Sequence, residues 1–379
     1  MDFDALSDPH GNAAQKIQSS QQFDTSRNVN LIKVEPIPGM VPVVQVVPFY
    51  AGTNDALAEC STLSQAYTGL NTALSDFLVS SDATLKAYRF ELQRAINIPV
   101  NTLTLEDLPQ KFTQLRDYIM RPANDFRYPL ARLYCVDLLS NAILRQAREQ
   151  ISSNHEFAFV VAKLAKSLCV AGPIEFSEML LLKFINSCPY FGPLEPMQQE
   201  QMSPGDYCLI LGYEKRSSAG NVAGDAQLEK SDAFLKRMTG FMLLFSAMLV
   251  VEPLRCVSRP AGDSASVWGA GRAWLWLARL LSLRPALNTE LVCQLLADFL
   301  TCASYTLAST YQRQFIKLLE RTVRDLVPSL RARATSGAAG GQSPLLGPVV
   351  RLENFLERLI REPTRLREMP SGLAPVLSL

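Results

Sequence analysis

The chain has 379 residues, 48% of them apolar and 19% charged, an ordinary globular composition long enough for one large or two ordinary domains around a sizeable core. The formal net charge of +1 is unevenly spread: from Leu254 onward there are 16 Lys or Arg against 9 Asp or Glu, and before it 21 against 27. A basic C-terminal part predicts an acidic partner surface or a polyanion nearby, and the lack of basic runs excludes a direct, sequence-specific reader of nucleic acid.

Residues 1–85 carry Ser, Gln, Asn, Asp and Thr clusters around one apolar patch, Val34 to Tyr50, punctuated by Pro36, Pro38, Pro42 and Pro48. Proline cannot donate to a ladder, so the patch reads as an extended docking segment or a linker, within an N-terminal arm that is largely disordered. Leu63 to Leu78 could form one short amphipathic helix. No positive region followed by an apolar one opens the chain, and no secretory signal is predicted.

From residue 86 to 379 helical periodicity dominates, and the fold class is all-α. Apolar positions predict helices over Leu130 to Leu144, Phe157 to Val170 and Phe176 to Ile185, the last ended by Pro189. Phe234, Met238, Phe241, Met242, Phe245, Met248 and Leu249 recur at three-and-four spacing, which predicts a helix buried on most faces. Further helices are predicted over Trp274 to Leu283, Leu291 to Cys302, Tyr305 to Leu326 and Val349 to Ile360. The longest apolar run, Phe241 to Val251, is shorter than the roughly 20 residues a bilayer requires, so no membrane insertion is predicted. Helix pairs following one another through short connectors fit an irregular HEAT-like α-solenoid, with a globular bundle as the alternative.

The chemistry of an enzyme is not visible. Eight cysteines form no CxxC pair and sit mostly in apolar helical patterns, as reduced core thiols do. With His10 and His155 the only histidines, a base for a Ser or Cys nucleophile is scarce, and no metal site is expected. Gly337 to Gly341 has no lysine and follows no strand, so it is not a phosphate loop. Trp268, Trp274 and Trp276 are read as core rather than as a binding surface.

Three stretches in order carry a resemblance: Cys188, Pro189 and Tyr190; Leu211, Gly212 and Tyr213; and Phe234 to Gly240. With Trp274, Trp276, Asp298, Phe299, Tyr311, Phe315, Arg351 and Phe355 downstream, the chain from about Phe90 to Ile360 resembles the C-terminal domain of the GLFG-lethal mRNA export mediator family of the nuclear pore. The resemblance implies a HEAT-like, non-enzymatic activator at the cytoplasmic face of the pore, the alternative being a non-activating helical scaffold that docks nucleoporins or translation factors. Its implied partners are a DEAD-box RNA helicase, FG nucleoporins and translation initiation factors, with inositol hexakisphosphate as a bridge to the helicase. Lys183, Arg94, Lys236 and Arg237 are the candidate inositol-phosphate or helicase contacts. Where two lysines would be expected just before Cys188, this chain has Asn186 and Ser187, which removes two phosphate contacts. The family's long coiled-coil rod has no counterpart in residues 1–85, which lack a sustained heptad pattern.

Overall fold

The computed structural model describes residues 50–51, 53–121, 126–196, 202–215, 228–257, 267–283, 289–336 and 345–379. The proline-punctuated residues 34–49 and most of the two loops around residues 217–232 and 336–348 lie outside the described residues. What is described is helical, apart from a single antiparallel pairing of β1 (Tyr50–Ala51) with β2 (Glu195–Pro196) and one isolated bridge, Lys215 to Leu228.

The helices are α1 (Asn54–Val79), α2 (Ala83–Asn101), α3 (Leu108–Ile119), α4 (Ala131–Gln146), α5 (Phe157–Ala171), α6 (Ile174–Ser187), α7 (Pro204–Leu211), α8 (Ser231–Val250), α9 (Ala270–Ser282), α10 (Thr289–Tyr311), α11 (Arg313–Arg321), α12 (Val327–Ser336), α13 (Leu346–Arg361) and α14 (Leu373–Leu377). Their ends follow local chemistry. Asp82 caps α2 by accepting from the amides of Thr84 (2.7 Å) and Leu85 (3.1 Å), and Ser203 caps α7 by accepting from the amide of Asp206 (3.1 Å) with Pro204 at the first helical position. Contacts pass along the chain: α2 packs on α4, α3 on α5, α4 on α6, α5 on α8, α8 on α10 and α10 on α13. Most of the longer helices therefore meet one two or three places later in the chain.

The helix predicted to be buried on most faces is α8, and it lies at the middle of this order. From Met238 to Val250 every residue of it is buried, and it touches α5, α9, α10 and a π-helical turn, Ala147–Ile151, that extends α4. By length and composition α8 and α10 could each cross a bilayer, but here their apolar faces are taken up by one another and by the rest of the core. Gly240 is where α8 crosses the π turn. A Cβ at this position would stand 2.1 Å from the carbonyl oxygen of Ala147 and 3.2 Å from the Cβ of Ser152, so only glycine permits the backbones to approach this closely.

Four features differ from the sequence expectations. The helical body begins well upstream of residue 86, because α1 places Ala56, Cys60, Leu63, Leu74 and Phe77 in buried positions while Asn54, Thr62, Thr68 and Ser75 are exposed and dilute the pattern. Asn97 to Pro99, which the proline marks in the sequence as a turn just after Arg94, is helical: Pro99 is accommodated in the last turns of α2, with its ring buried. The helices expected over Leu291 to Cys302 and Tyr305 to Leu326 divide elsewhere. With no Gly or Pro between them, α10 runs on to Tyr311, and the break falls at Gln312, whose φ of 46° carries no sequence signal. Pro328, read from the sequence as closing the long helix, does not end it: it follows directly on a π-helical turn, Thr322–Leu326, that joins α11 to α12 without a gap.

Replacing Gly240 by Ala tests the crossing. Alanine gains about 1 kcal/mol of helix propensity over glycine, whereas a clash against backbone on both sides costs about 3 kcal/mol or more. A net loss of about 2 kcal/mol is expected in urea-induced unfolding followed by circular dichroism.

Candidate functional site

The three stretches that carry the family resemblance meet at one junction, where α6, α7 and the start of α8 come together. Ser187 ends α6, and Cys188 turns into an extended conformation whose amide still donates to the carbonyl of Phe184 (3.2 Å). Pro189 then opens a short 3-10 turn, Pro189–Phe191. Gly212 closes α7 with φ 102°, and a Cβ there would lie 2.2 Å from the carbonyl oxygen of Ser187. The end of α7 is thus pressed against the end of α6 on a glycine with no substitute. Tyr213 follows and stacks on Phe234 with ring centroids 3.7 Å apart, which brings in the first turn of α8.

Arg237 ties this junction together. Almost entirely buried, it donates to the carbonyl oxygen of Gly212 (2.7 Å), pairs with Glu229 and lies 3.6 Å from Glu214, with Phe234 and Phe241 beneath its guanidinium. Glu214 in turn receives a two-pronged pair from Arg148 (2.8 and 2.6 Å), and its amide donates to Glu229 (2.9 Å). Glu214, just after α7, and Glu229, just before α8, are thereby tied to the π turn that Gly240 crosses.

The aromatic residues are core. Trp276 donates to the carbonyl oxygen of Tyr190 (2.9 Å) and Trp268 to the hydroxyl of Ser177 (2.9 Å), while Phe184, Phe191, Phe245 and Trp268 form one ring cluster. Burial pushes the thiols of Cys60, Cys135, Cys169, Cys188, Cys293 and Cys302 up to about 12, which leaves no thiolate at neutral pH. His155 is exposed at the junction before α5. Among the described residues no three His, Cys, Asp or Glu converge as a metal site would require.

The four candidate cations do not share one role. Lys183 is buried in an ion pair with Asp137 on α4 (2.6 Å), and Arg237 is spent on the junction. Lys236 is exposed in the first turns of α8, and Arg94 is exposed on α2 with no hydrogen bond or ion pair to a described residue. Asn186 lines a cavity of about 170 Å³ between α6, α7 and α1, together with Cys60, Ser61, Ser64 and Ile210, and among the described residues no Lys or Arg lines it. Ser187 donates its hydroxyl to the carbonyl of Lys183 (2.7 Å). The wall of α1 beside this edge was not anticipated from the sequence. Arg279 (2.7 Å to each) holds it by Asp55 and Glu59, and Arg272 pairs with Glu59 as well. Burial alone would raise the Glu59 carboxyl, but the two guanidiniums outweigh it and hold it below its ordinary 4.5. The i, i+4 spacing of Asp55 and Glu59 was the available signal.

One buried carboxylate is poorly served. Asp298 on α10 accepts from the Gln294 side chain through Oδ1 (2.9 Å), Oδ2 is buried without a hydrogen bond of good geometry, and burial outweighs the Gln294 and Thr239 side chains and raises its carboxyl above the ordinary 3.8.

Fold and junction together define an all-α protein of stacked helices whose sequence landmarks hold helix ends in register. The GLE1-like protein family model matches residues 68–323, and the chain belongs to that family. It is 28% identical to the mRNA export factor GLE1 of Rattus norvegicus over 339 residues, covering 85% of this chain and 43% of the relative, and 28% identical to the mRNA export factor Gle1 of Drosophila melanogaster over 297 residues, 75% and 40%. The chain thus spans about two fifths of the length of these curated relatives. Among solved structures, it superposes with a TM-score of 0.67 on a complex of the S. cerevisiae Dbp5 C-terminal domain with a substituted Gle1 and IP6, at 17% identity, covering 84% of this chain and 98% of that one. A second such complex gives 0.63 at 16% identity. The likeness establishes a shared fold.

Two outcomes are expected at the junction and beside it. Arg237→Met leaves the largely covered Glu229 without its guanidinium and should cost about 3 kcal/mol, whereas Lys236→Ala should change stability by less than about 0.5 kcal/mol in the same urea titrations. Asp298→Asn should raise the melting temperature at pH 7. Because the folded carboxyl binds its proton more tightly than the unfolded one, the native chain gains stability as pH falls through the raised value toward 3.8. The Asn variant lacks that gain, so the difference between the two melting temperatures should shrink on acidification.

Proposed function

We propose that this chain is a helicase-activating module of mRNA export, binding a DEAD-box RNA helicase at the cytoplasmic face of the nuclear pore and doing no chemistry itself. The observation that carries the reading is the family match over residues 68–323, joined to a fold that covers nearly all of a Gle1 chain solved with the Dbp5 C-terminal domain. A rigid stack of helices suits such a role. By binding one arrangement of the helicase's two lobes better than another, it shifts their populations toward the state that releases RNA and raises ATP turnover. FG nucleoporins are the docking partners that would hold it at the pore.

Inositol hexakisphosphate is a weak bridge in this reading. Lys183 and Arg237 already serve internal carboxylates, and the edge before Cys188 offers Asn186 and Ser187, leaving Arg94 and Lys236 as the exposed cations of the candidate set. A ligand this densely charged needs several guanidinium or ammonium groups at once.

The test is RNA-dependent ATP hydrolysis by the cognate helicase, with and without inositol hexakisphosphate. Stimulation by the purified chain is expected, with little further gain from the ligand, and the double variant Asn186→Lys, Ser187→Lys should make it respond to the ligand more strongly. No stimulation under either condition would overturn the proposal.

A further inference from the structure

A groove of about 440 Å³ lies where the end of α10, the start of α11 and the segment after α13 meet. Its floor is apolar, with Ile316, Pro363 and Leu366, and its rim carries Gln312, Arg313 and Arg367. Among the described residues no Asp or Glu lines it. The acids around it are engaged by other arginines: Glu362 pairs with Arg365, Glu357 with Arg361, and Asp325 with Arg321 and Arg324. Glu368 follows Arg367 in sequence but does not line the groove, and its charge acts on Arg365. The side chains of Arg313 and Arg367 are exposed and make no hydrogen bond or ion pair with any described residue. The break at Gln312 adds to the field, since it starts α11 afresh at the groove with no side-chain cap on its first amides.

We propose that this groove docks a short acidic peptide segment of a partner protein, with an apolar side chain on the floor and carboxylates on Arg313 and Arg367. Two guanidiniums without partners, above an apolar floor of a size typical of ligand sites, match that chemistry on both counts. Single-stranded RNA fits less well, because among the described residues no aromatic side chain lines the groove on which a base could stack. The basic excess of the C-terminal part thus acquires a location.

The experiment is fluorescence polarisation on the full chain, using a short fluorescein-labelled peptide of alternating glutamate and leucine, its counterpart with glutamine for glutamate, and a labelled single-stranded RNA. The acidic peptide should bind, and the double variant Arg313→Glu, Arg367→Glu should weaken it about tenfold or more, while Arg127→Glu, an exposed charge outside the groove, leaves it unchanged. Glutamate at the first position of α11 is favourable to the helix, so the variant should keep its melting temperature. Equal binding by the double variant, equal binding of the glutamine peptide, or binding of the RNA in place of the peptide would each overturn the proposal.

Discussion

A helix with no face toward solvent fixes the position of everything that touches it, and α8 is such a helix over most of its length. Its apolar burial drives the packing, yet the limiting constraint is steric. At Gly240 two stretches of backbone come within the distance of a missing methyl group. Because neither backbone can yield, the crossing sets the height of α8 against α4 and α5, and through them the spacing of the helices on either side. Even the polar groups inside comply: Ser246 returns its hydroxyl to the carbonyl of Met242 (2.7 Å), so that nothing on this helix asks for water.

The charged side chains follow from the same demand for register. Arg237, Arg279 and Lys183 are buried, and each is matched by carboxylates or carbonyls from another element, so that they orient helix ends rather than present charge outward. A buried ion pair adds little to stability over a well-packed apolar pair, but it penalises misalignment heavily, since a small shift strands a charge. The residues that mark the family in sequence, at the Cys-Pro-Tyr turn, the Leu-Gly-Tyr turn and the start of α8, are on this reading joints of the scaffold.

Much of this was legible in the sequence, for identifiable reasons. The three-and-four spacing from Phe234 to Leu249 announced a buried helix because no polar face interrupts it, and the cysteines and tryptophans were readable as core from their apolar neighbours. Failures occurred where the decisive contact is distant. Nothing near Asp55 and Glu59 in sequence indicates that their partners are Arg272 and Arg279, so only the Leu63 to Leu78 part of α1 is legible as a helix and its first turns read as part of the arm. Arg237 and Lys236 are adjacent and chemically alike, yet one is buried and one exposed, a difference set by the phase of α8 against its neighbours. The break at Gln312 has no Gly, Pro or Asn to mark it.

The pairing of α1 with α9 also bears on how the protein is made. The carboxylates of Asp55 and Glu59 emerge from the ribosome more than two hundred residues before the arginines that receive them. Nascent α1 must therefore remain without its partners while most of the stack is synthesised, and its buried face, with Leu63, Leu74 and Phe77, is among the surfaces for which a chaperone would have reason to wait.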